Sequence, residues 1–147
     1  EDFILTEERL NFFKKFTDRL WTIGRVTDLA NQNNVPRIEV RNLSSEDRSL
    51  LNAIDSLTVS TGNYIEKYLF EPAEAEVVDF LTVLEKYVEE MATKNNIAIP
   101  LSVLRHVIKK YLIILHPFTP FITEELYANI YGSAGPLATT SWPKKTS

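Results

Sequence analysis

Apolar residues recur every three to four positions along five segments of the chain, the spacing of a helix with one buried face. The pattern predicts helices that begin near residues 6, 44, 72, 101 and 120 and end near residues 31, 70, 93, 115 and 131. The second apolar stripe runs through Tyr68 to about Phe70. Strand alternation is nearly absent. We therefore predict an all-α fold, an antiparallel up-and-down bundle of about five helices with an extended tail over residues 133–147.

Capping residues support several of these boundaries. Thr6 can cap the first helix, and Ser44 with Asp47 three residues later forms a capping-box pattern for the second. Thr119 can cap a fifth helix that opens with Pro120. The helix breakers are Pro36, Pro117 and Gly132.

Composition places residues 1–147 with single soluble domains, because 44% are hydrophobic and 24% charged. The lack of cysteine excludes thiol catalysis, cysteine-bound zinc and disulfides, and is compatible with a reducing compartment. No apolar run approaches the roughly 20 residues that span a bilayer. The chain opens Glu-Asp-Phe without a secretory signal, so we expect a piece of a longer protein.

Charge is unevenly distributed along the chain. The formal total is −4, but residues 38–98 carry −7 and residues 99–147 carry +3. Residues 9–25 of the first helix carry a net +4. Lys15, Arg19, Thr22 and Arg25 follow one another at helical spacing and form a line that can track phosphates. An ordinary solvated outer face is the competing interpretation of this line.

Catalytic patterns are missing from the sequence. It has no glycine-rich phosphate loop, no His-Glu-x-x-His and no Gly-x-Ser-x-Gly, so we expect neither a catalytic residue nor a metal site. His116 precedes Pro117 and is interpreted as a partner of the helix C-terminus. His106 lies beside three basic residues, which predicts a solvated basic face. Glu124 complements the dipole of the fifth helix rather than forming a carboxylate pair with its neighbour.

The run Leu-His-Pro-Phe-Thr-Pro-Phe-Ile-Thr-Glu-Glu-Leu-Tyr over residues 115–127 closely resembles a hallmark of one family. This family is the helical anticodon-binding domain of class I aminoacyl-tRNA synthetases for aliphatic amino acids. Within it, the chain most resembles the valyl-specific branch. Residues 15–25, Lys-Phe-Thr-Asp-Arg-Leu-Trp-Thr-Ile-Gly-Arg, are similar to the family's first helix. The Ser-Trp-Pro of residues 141–143 resembles the segment that closes the domain.

The resemblance implies a tRNA-binding module whose first helix faces the anticodon stem and loop. Arg25 matches the family's arginine, and Arg19 replaces its lysine. Lys15 and Thr22 stand where asparagine is usual, and Val26 stands where phenylalanine is usual. The resemblance therefore assigns tRNA binding to Lys15, Arg19, Thr22 and Arg25, with Lys14 and Trp21 as further candidates. Trp21 is either a core or interface residue or a stacking surface for a base.

The hallmark run itself is interpreted as architectural. Its members are His116, Pro117, Phe118, Pro120, Phe121 and Glu124, and Phe118, Phe121 and Ile122 are the expected packing anchors. The resemblance implies that another domain of the parent chain carries out catalysis. The family's His-Ile-Gly-His and Lys-Met-Ser-Lys-Ser signatures are both missing from this sequence. This domain is expected to need no cofactor, whereas the resemblance implies ATP and Mg²⁺ for the parent chain.

The expected function is thus the anticodon-arm binding module of a cytoplasmic, monomeric valine–tRNA ligase, with tRNA-Val and the catalytic domain as partners. Two alternatives stay open from the sequence. One is a leucyl- or isoleucyl-type domain. The other is a helical protein-interaction bundle that has lost RNA binding, which the changes at Thr22 and Val26 motivate. No membrane partner is expected.

Overall fold

Five α-helices make up most of the computed structural model, which describes residues 6–33 and 35–132. Their bounds are α1 Glu7–Gln32, α2 Ser45–Glu66, α3 Phe70–Ala92, α4 Ala98–Leu115 and α5 Pro120–Tyr131. A short 3₁₀ turn, Val40–Asn42, lies between α1 and α2. No strand occurs over these described ranges, which confirms the predicted all-α bundle. The predicted extended tail, residues 133–147, lies outside the described residues.

The first two helices begin where their capping residues predict. The Arg9 backbone N–H donates to Thr6 Oγ1 over 3.1 Å. In α2 the capping box closes in both directions, since Asp47 N donates to Ser44 Oγ over 3.1 Å and Ser44 N donates to Asp47 Oδ2 over 3.0 Å. The other carboxylate oxygen of Asp47 accepts the Tyr87 hydroxyl over 2.6 Å. The cap therefore also ties the start of α2 to α3.

The predicted end of α2 near Phe70 is wrong, because the helix ends at Glu66 and Phe70 begins α3. Tyr68 adopts φ 59°, a left-handed conformation that reverses the chain within a three-residue turn. Tyr68 and Phe70 are 81% and 51% exposed, and their rings meet edge to face at 6.5 Å. These two aromatic residues prolong the apolar spacing without being buried, which explains the error.

Two further boundaries differ from prediction. Helix α4 begins at Ala98 rather than at residue 101, because Pro100 occupies its first turn, where a missing N–H breaks no helical hydrogen bond. Thr119 does not cap α5 with its side chain. Its backbone, at φ −143° and ψ 68°, departs from the geometry of Thr6 and Ser44, and its buried hydroxyl has no hydrogen-bond partner among the described residues. Pro120 and Gly132 begin and end α5 as predicted.

Contacts between helices establish the up-and-down order. Arg9 pairs with Glu74 and Arg19 with Glu85, so residue numbers increase in the same direction along α1 and α3. The Ser60–Glu76 and Asp47–Tyr87 hydrogen bonds show the opposite relation between α2 and α3. Consecutive helices are therefore antiparallel and alternate helices are parallel, as short connections favour.

Helix α4 is the centre of the bundle and contacts each of the other four helices. Eleven of its 18 residues are buried. Tyr111 is completely buried and donates its hydroxyl hydrogen to Val77 O over 2.6 Å, so the polar atom is satisfied inside the core. Over residues 6–33 and 35–132, no helix is both long and apolar enough to cross a membrane.

One charged pair joins α2 to α4 in the interior. Lys110 Nζ lies 3.3 Å from Asp55 Oδ1, and the two side chains are only 13% and 5% exposed. A buried pair of this kind is costly to break from one side, because the remaining charge has already lost its hydration.

Gly24 of α1 faces the side chains of Leu126 and Ile130 on α5. A Cβ atom at this position would lie 2.8 Å from Leu126 Cδ2, well inside van der Waals contact. Leu126 is itself 1% exposed and has little space to move. The absence of a side chain at residue 24 therefore leaves room for the Leu126 side chain between these helices.

Candidate nucleic-acid interface

The outer face of α1 presents four of the six predicted tRNA-binding residues to solvent. Lys14, Lys15, Thr22 and Arg25 are exposed, whereas Phe16, Leu20 and Ile23 on the opposite side are buried in the core. Within the described part of the chain, the side chains of Lys14, Lys15 and Arg25 make no hydrogen bond or ion pair. These cations are therefore available for an anionic ligand.

A shallow concavity of about 450 Å³ lies on the same face. Its described lining residues are Asp18, Trp21, Thr22 and Arg25. Trp21 is half-buried and packs against the core cluster, so it combines a packing role with access to this surface. The structure thus brings three of the six tRNA-binding candidates together around one depression.

Thr22 has a restricted hydrogen-bonding capacity. Its hydroxyl donates to the Asp18 carbonyl oxygen over 3.0 Å, one turn earlier in the helix. A hydroxyl has one hydrogen to donate and two lone pairs to accept with. In this conformation Thr22 can accept a hydrogen bond from a ligand but cannot donate one.

Arg19 differs from the other tRNA-binding candidates because its side chain forms an ion pair with a residue of α3. Arg19 Nε donates to Glu85 Oε2 over 3.0 Å and Nη2 donates to Glu85 Oε1 over 2.6 Å. This bidentate contact raises the pKa of Arg19 and lowers the pKa of Glu85, chiefly through the hydrogen bonds between them. The sequence predicts that Arg19 contacts tRNA. In this structure, however, its side chain links α1 to α3 through the ion pair with Glu85.

The predicted basic face of α4 is only partly solvated. His106 is half-buried rather than exposed, which corrects the sequence expectation. Burial lowers its pKa, and the charges of Lys110 and Lys109 lower it further, against an opposing effect of Asp55. The expectation was wrong because the sequence shows only the basic neighbours of His106. Its burial depends on the packing of α4 against the other helices.

This depressed pKa predicts a loss of stability at mildly acidic pH. The folded pKa of His106 lies below its ordinary value of 6.5, so the unfolded chain binds a proton that the folded chain resists. The stabilisation is present above the ordinary value and is lost as the pH falls through the folded pKa. When the pH is lowered from about 7 to about 5, we expect the free energy of unfolding to fall less in His106→Gln than in the unsubstituted domain. Urea titrations at the two pH values measure this difference. Equal losses would contradict this role of His106.

The hallmark run over residues 115–127 forms the corner between α4 and α5. His116 is the C-terminal cap residue of α4, and its Nδ1 lies 2.9 Å from Thr123 Oγ1 and 4.0 Å from Glu124 Oε1. Phe118 and Ile122 are partly buried against the core, as predicted. Phe121 is 90% exposed, so its prediction as a packing anchor is wrong. Helix α5 buries Thr123, Leu126 and Ile130, and Phe121 lies on its other side.

Sequence reasoning missed a polar contact that joins three helices at the end of α1. Asn31 Nδ2 donates to Ile130 O on α5 over 2.6 Å, and Asn31 Oδ1 accepts from Arg105 Nε on α4 over 3.1 Å. The Arg105 guanidinium also lies over the Tyr131 ring, 5.0 Å from its centre. A single asparagine at a helix end gives no local signal for such long-range partners.

Sequence comparisons find similarity to curated valine–tRNA ligases. Valine–tRNA ligase of Pseudothermotoga lettingae is 28% identical over 97% of this chain and 17% of the relative. The Thermotoga maritima enzyme of the same name is 26% identical over the same shares. That of Rhodopirellula baltica is 29% identical over 86% of this chain and 13% of the relative. The chain thus spans about a sixth of the length of these curated relatives.

A family model identifies the type of domain. The model described as the anticodon-binding domain of tRNA ligase matches residues 47–147. This range begins within α2, so the basic face of α1 is covered by the similarity to the relatives rather than by the family model. Because the matched residues make up more than half of the sequence, the chain belongs to the family of anticodon-binding domains of tRNA ligases.

Proposed function

We propose that this domain binds the anticodon arm of tRNA-Val as part of a valine–tRNA ligase. The names of the relatives support the valyl assignment over the leucyl or isoleucyl alternatives. Other parts of the parent chain would carry out aminoacylation with ATP and Mg²⁺. We further propose that this parent is a cytoplasmic monomer.

One observation carries the proposed interface, namely the set of cations on the outer face of α1 that have no partner among the described residues. Lys14, Lys15 and Arg25 extend over about 16 Å of helix, at 1.5 Å per residue. Lysine and arginine contacts to phosphates provide most of the affinity of a protein for nucleic acid and make it depend on salt. The depression beside Arg25 would then receive a part of the loop, with Trp21 as an apolar surface for a base.

The proposed interface predicts weaker tRNA binding when its charges are removed. We expect Lys15→Gln and Arg25→Gln each to raise the Kd for a tRNA-Val transcript by about threefold to tenfold at low salt. Each variant should also reduce the slope of log K against log salt by roughly 0.7–0.9. The measurement is a fluorescence anisotropy titration at several salt concentrations.

The matched control is Lys86→Gln, which removes one positive charge from the side of α3 that faces α2. It should leave both Kd and slope close to those of the parent. If Lys15→Gln and Arg25→Gln bind no more weakly than this control, the interface is assigned to the wrong face.

The same assay separates the remaining functional alternatives. Transcripts of tRNA-Leu and tRNA-Ile compete with tRNA-Val, and tighter binding of either one would contradict the valyl assignment. If the unsubstituted domain and tRNA show no change in fluorescence anisotropy on titration at low salt, the result would support the alternative of a protein-interaction bundle.

A further inference from the structure

The bidentate ion pair between Arg19 and Glu85 lies at the edge of the proposed interface. Glu85 engages the Nε and Nη2 atoms of Arg19, and Nη2 also donates to Thr82 Oγ1 over 3.4 Å. All three contacts draw the guanidinium toward α3. The edge of the guanidinium that is occupied by the carboxylate is one that binds a phosphate in the same bidentate manner.

The pair is accessible to a competing anion. The two side chains are 39% and 35% exposed, in contrast to the buried pair of Asp55 and Lys110. Exposed ion pairs are weak, because water screens their attraction. A phosphate that approaches α1 can therefore reach Arg19, but it must first displace a carboxylate of similar geometry.

We propose that Glu85 acts as an intramolecular competitor of tRNA phosphate for Arg19 and thereby lowers the affinity of this domain for tRNA. This inference rests on the proposed function. While Glu85 holds its guanidinium, Arg19 makes little contact with phosphate and contributes little net affinity for tRNA. Lys15 and Arg25 form no ion pair with a described residue, so their charges contribute in full.

Removal of the competitor should strengthen binding. We expect Glu85→Gln and Glu85→Ala to lower the Kd of the 147-residue chain for a tRNA-Val transcript by about threefold to tenfold. The salt slope should become steeper by roughly 0.7–0.9, the contribution of one additional phosphate contact. The alanine variant is included because a glutamine carbonyl can still accept one hydrogen bond from Arg19. Circular dichroism establishes that each variant retains its helix content.

A matched control separates this effect from a general change in charge. Glu89 lies one turn farther along α3 and carries the same charge. Glu89→Gln should change the Kd by less than about twofold, since it alters only the screened long-range field. Equal strengthening by the Glu85 and Glu89 variants would overturn the proposal.

The decisive comparison is Arg19→Gln in two backgrounds. In the parent, this substitution should change the Kd by less than about twofold, whereas in Glu85→Ala it should abolish the gain in affinity. An equally large loss in both backgrounds would show that Arg19 already contacts tRNA, and would overturn the proposal. Failure of the proposed function would give a different result, because Lys15→Gln and Arg25→Gln would then bind tRNA as the unsubstituted domain does.

Discussion

Replacement of Asp55 by alanine is expected to lower the free energy of unfolding by about 3–5 kcal/mol. The Lys110 ammonium lies 3.3 Å from Asp55 Oδ1, with its side chain only 13% exposed. Without the carboxylate, this ammonium loses an attraction that offsets part of its desolvation. The free energy of unfolding of domains of this size is only about 5–15 kcal/mol. The Tm of the variant should therefore be lower by on the order of 10 °C.

The control for this prediction is an exposed ion pair. Arg41 Nε lies 2.9 Å from Glu39 Oε2, but the two side chains are 82% and 50% exposed. Arg41→Gln should therefore cost less than about 1 kcal/mol. Urea unfolding at neutral pH measures both variants. If Asp55→Ala costs no more than Arg41→Gln, the interior pair does not stabilise the bundle in the way its burial indicates.

A leucine at position 24 is expected to destabilise the domain by about 1–3 kcal/mol through overpacking between α1 and α5. Leucine is a better helix former than glycine, by somewhat less than the roughly 0.8–1 kcal/mol that separates alanine from glycine, so helix propensity alone predicts the opposite sign. The steric term dominates because even a Cβ atom at residue 24 would lie 2.8 Å from Leu126 Cδ2. Thermal and urea unfolding of Gly24→Leu measure the net effect.

Two further variants test the cause of this destabilisation. Asn11→Leu places the same side chain at an exposed position of α1, where it should be neutral or slightly stabilising. Leu126→Ala alone should cost about 2–5 kcal/mol, but less in the Gly24→Leu background, because the new side chain fills the vacated space. Strictly additive losses would indicate that the two residues do not meet.

Local chemistry made much of the fold predictable. The apolar periodicity of α1 and the reciprocal cap of Ser44 and Asp47 both involve residues within a few positions of each other, so the sequence displays them directly. The error at Tyr68 arose because periodicity records apolar character and not burial. The same limit applies to Phe121, whose exposure depends on which side of α5 meets the core.

The candidate site was less predictable, because its decisive contacts are distant in sequence. Arg19 and Glu85 are 66 positions apart, and no local pattern shows that α3 would present a carboxylate to a cation of α1. Thr22 is different. Its hydrogen bond to the Asp18 carbonyl four residues earlier follows a known tendency of threonine in helices, and could have been anticipated.

The contact of Asn31 with α5 also has a consequence for biosynthesis. Helix α1 is the first of the five to emerge from a ribosome, yet its Asn31 side chain bonds to a carbonyl 99 residues later. At about 5–20 residues per second, that partner is synthesised roughly 5–20 s after α1. The end of α1 that bears Arg25 therefore lacks its contact with α5 until translation of the bundle is almost complete.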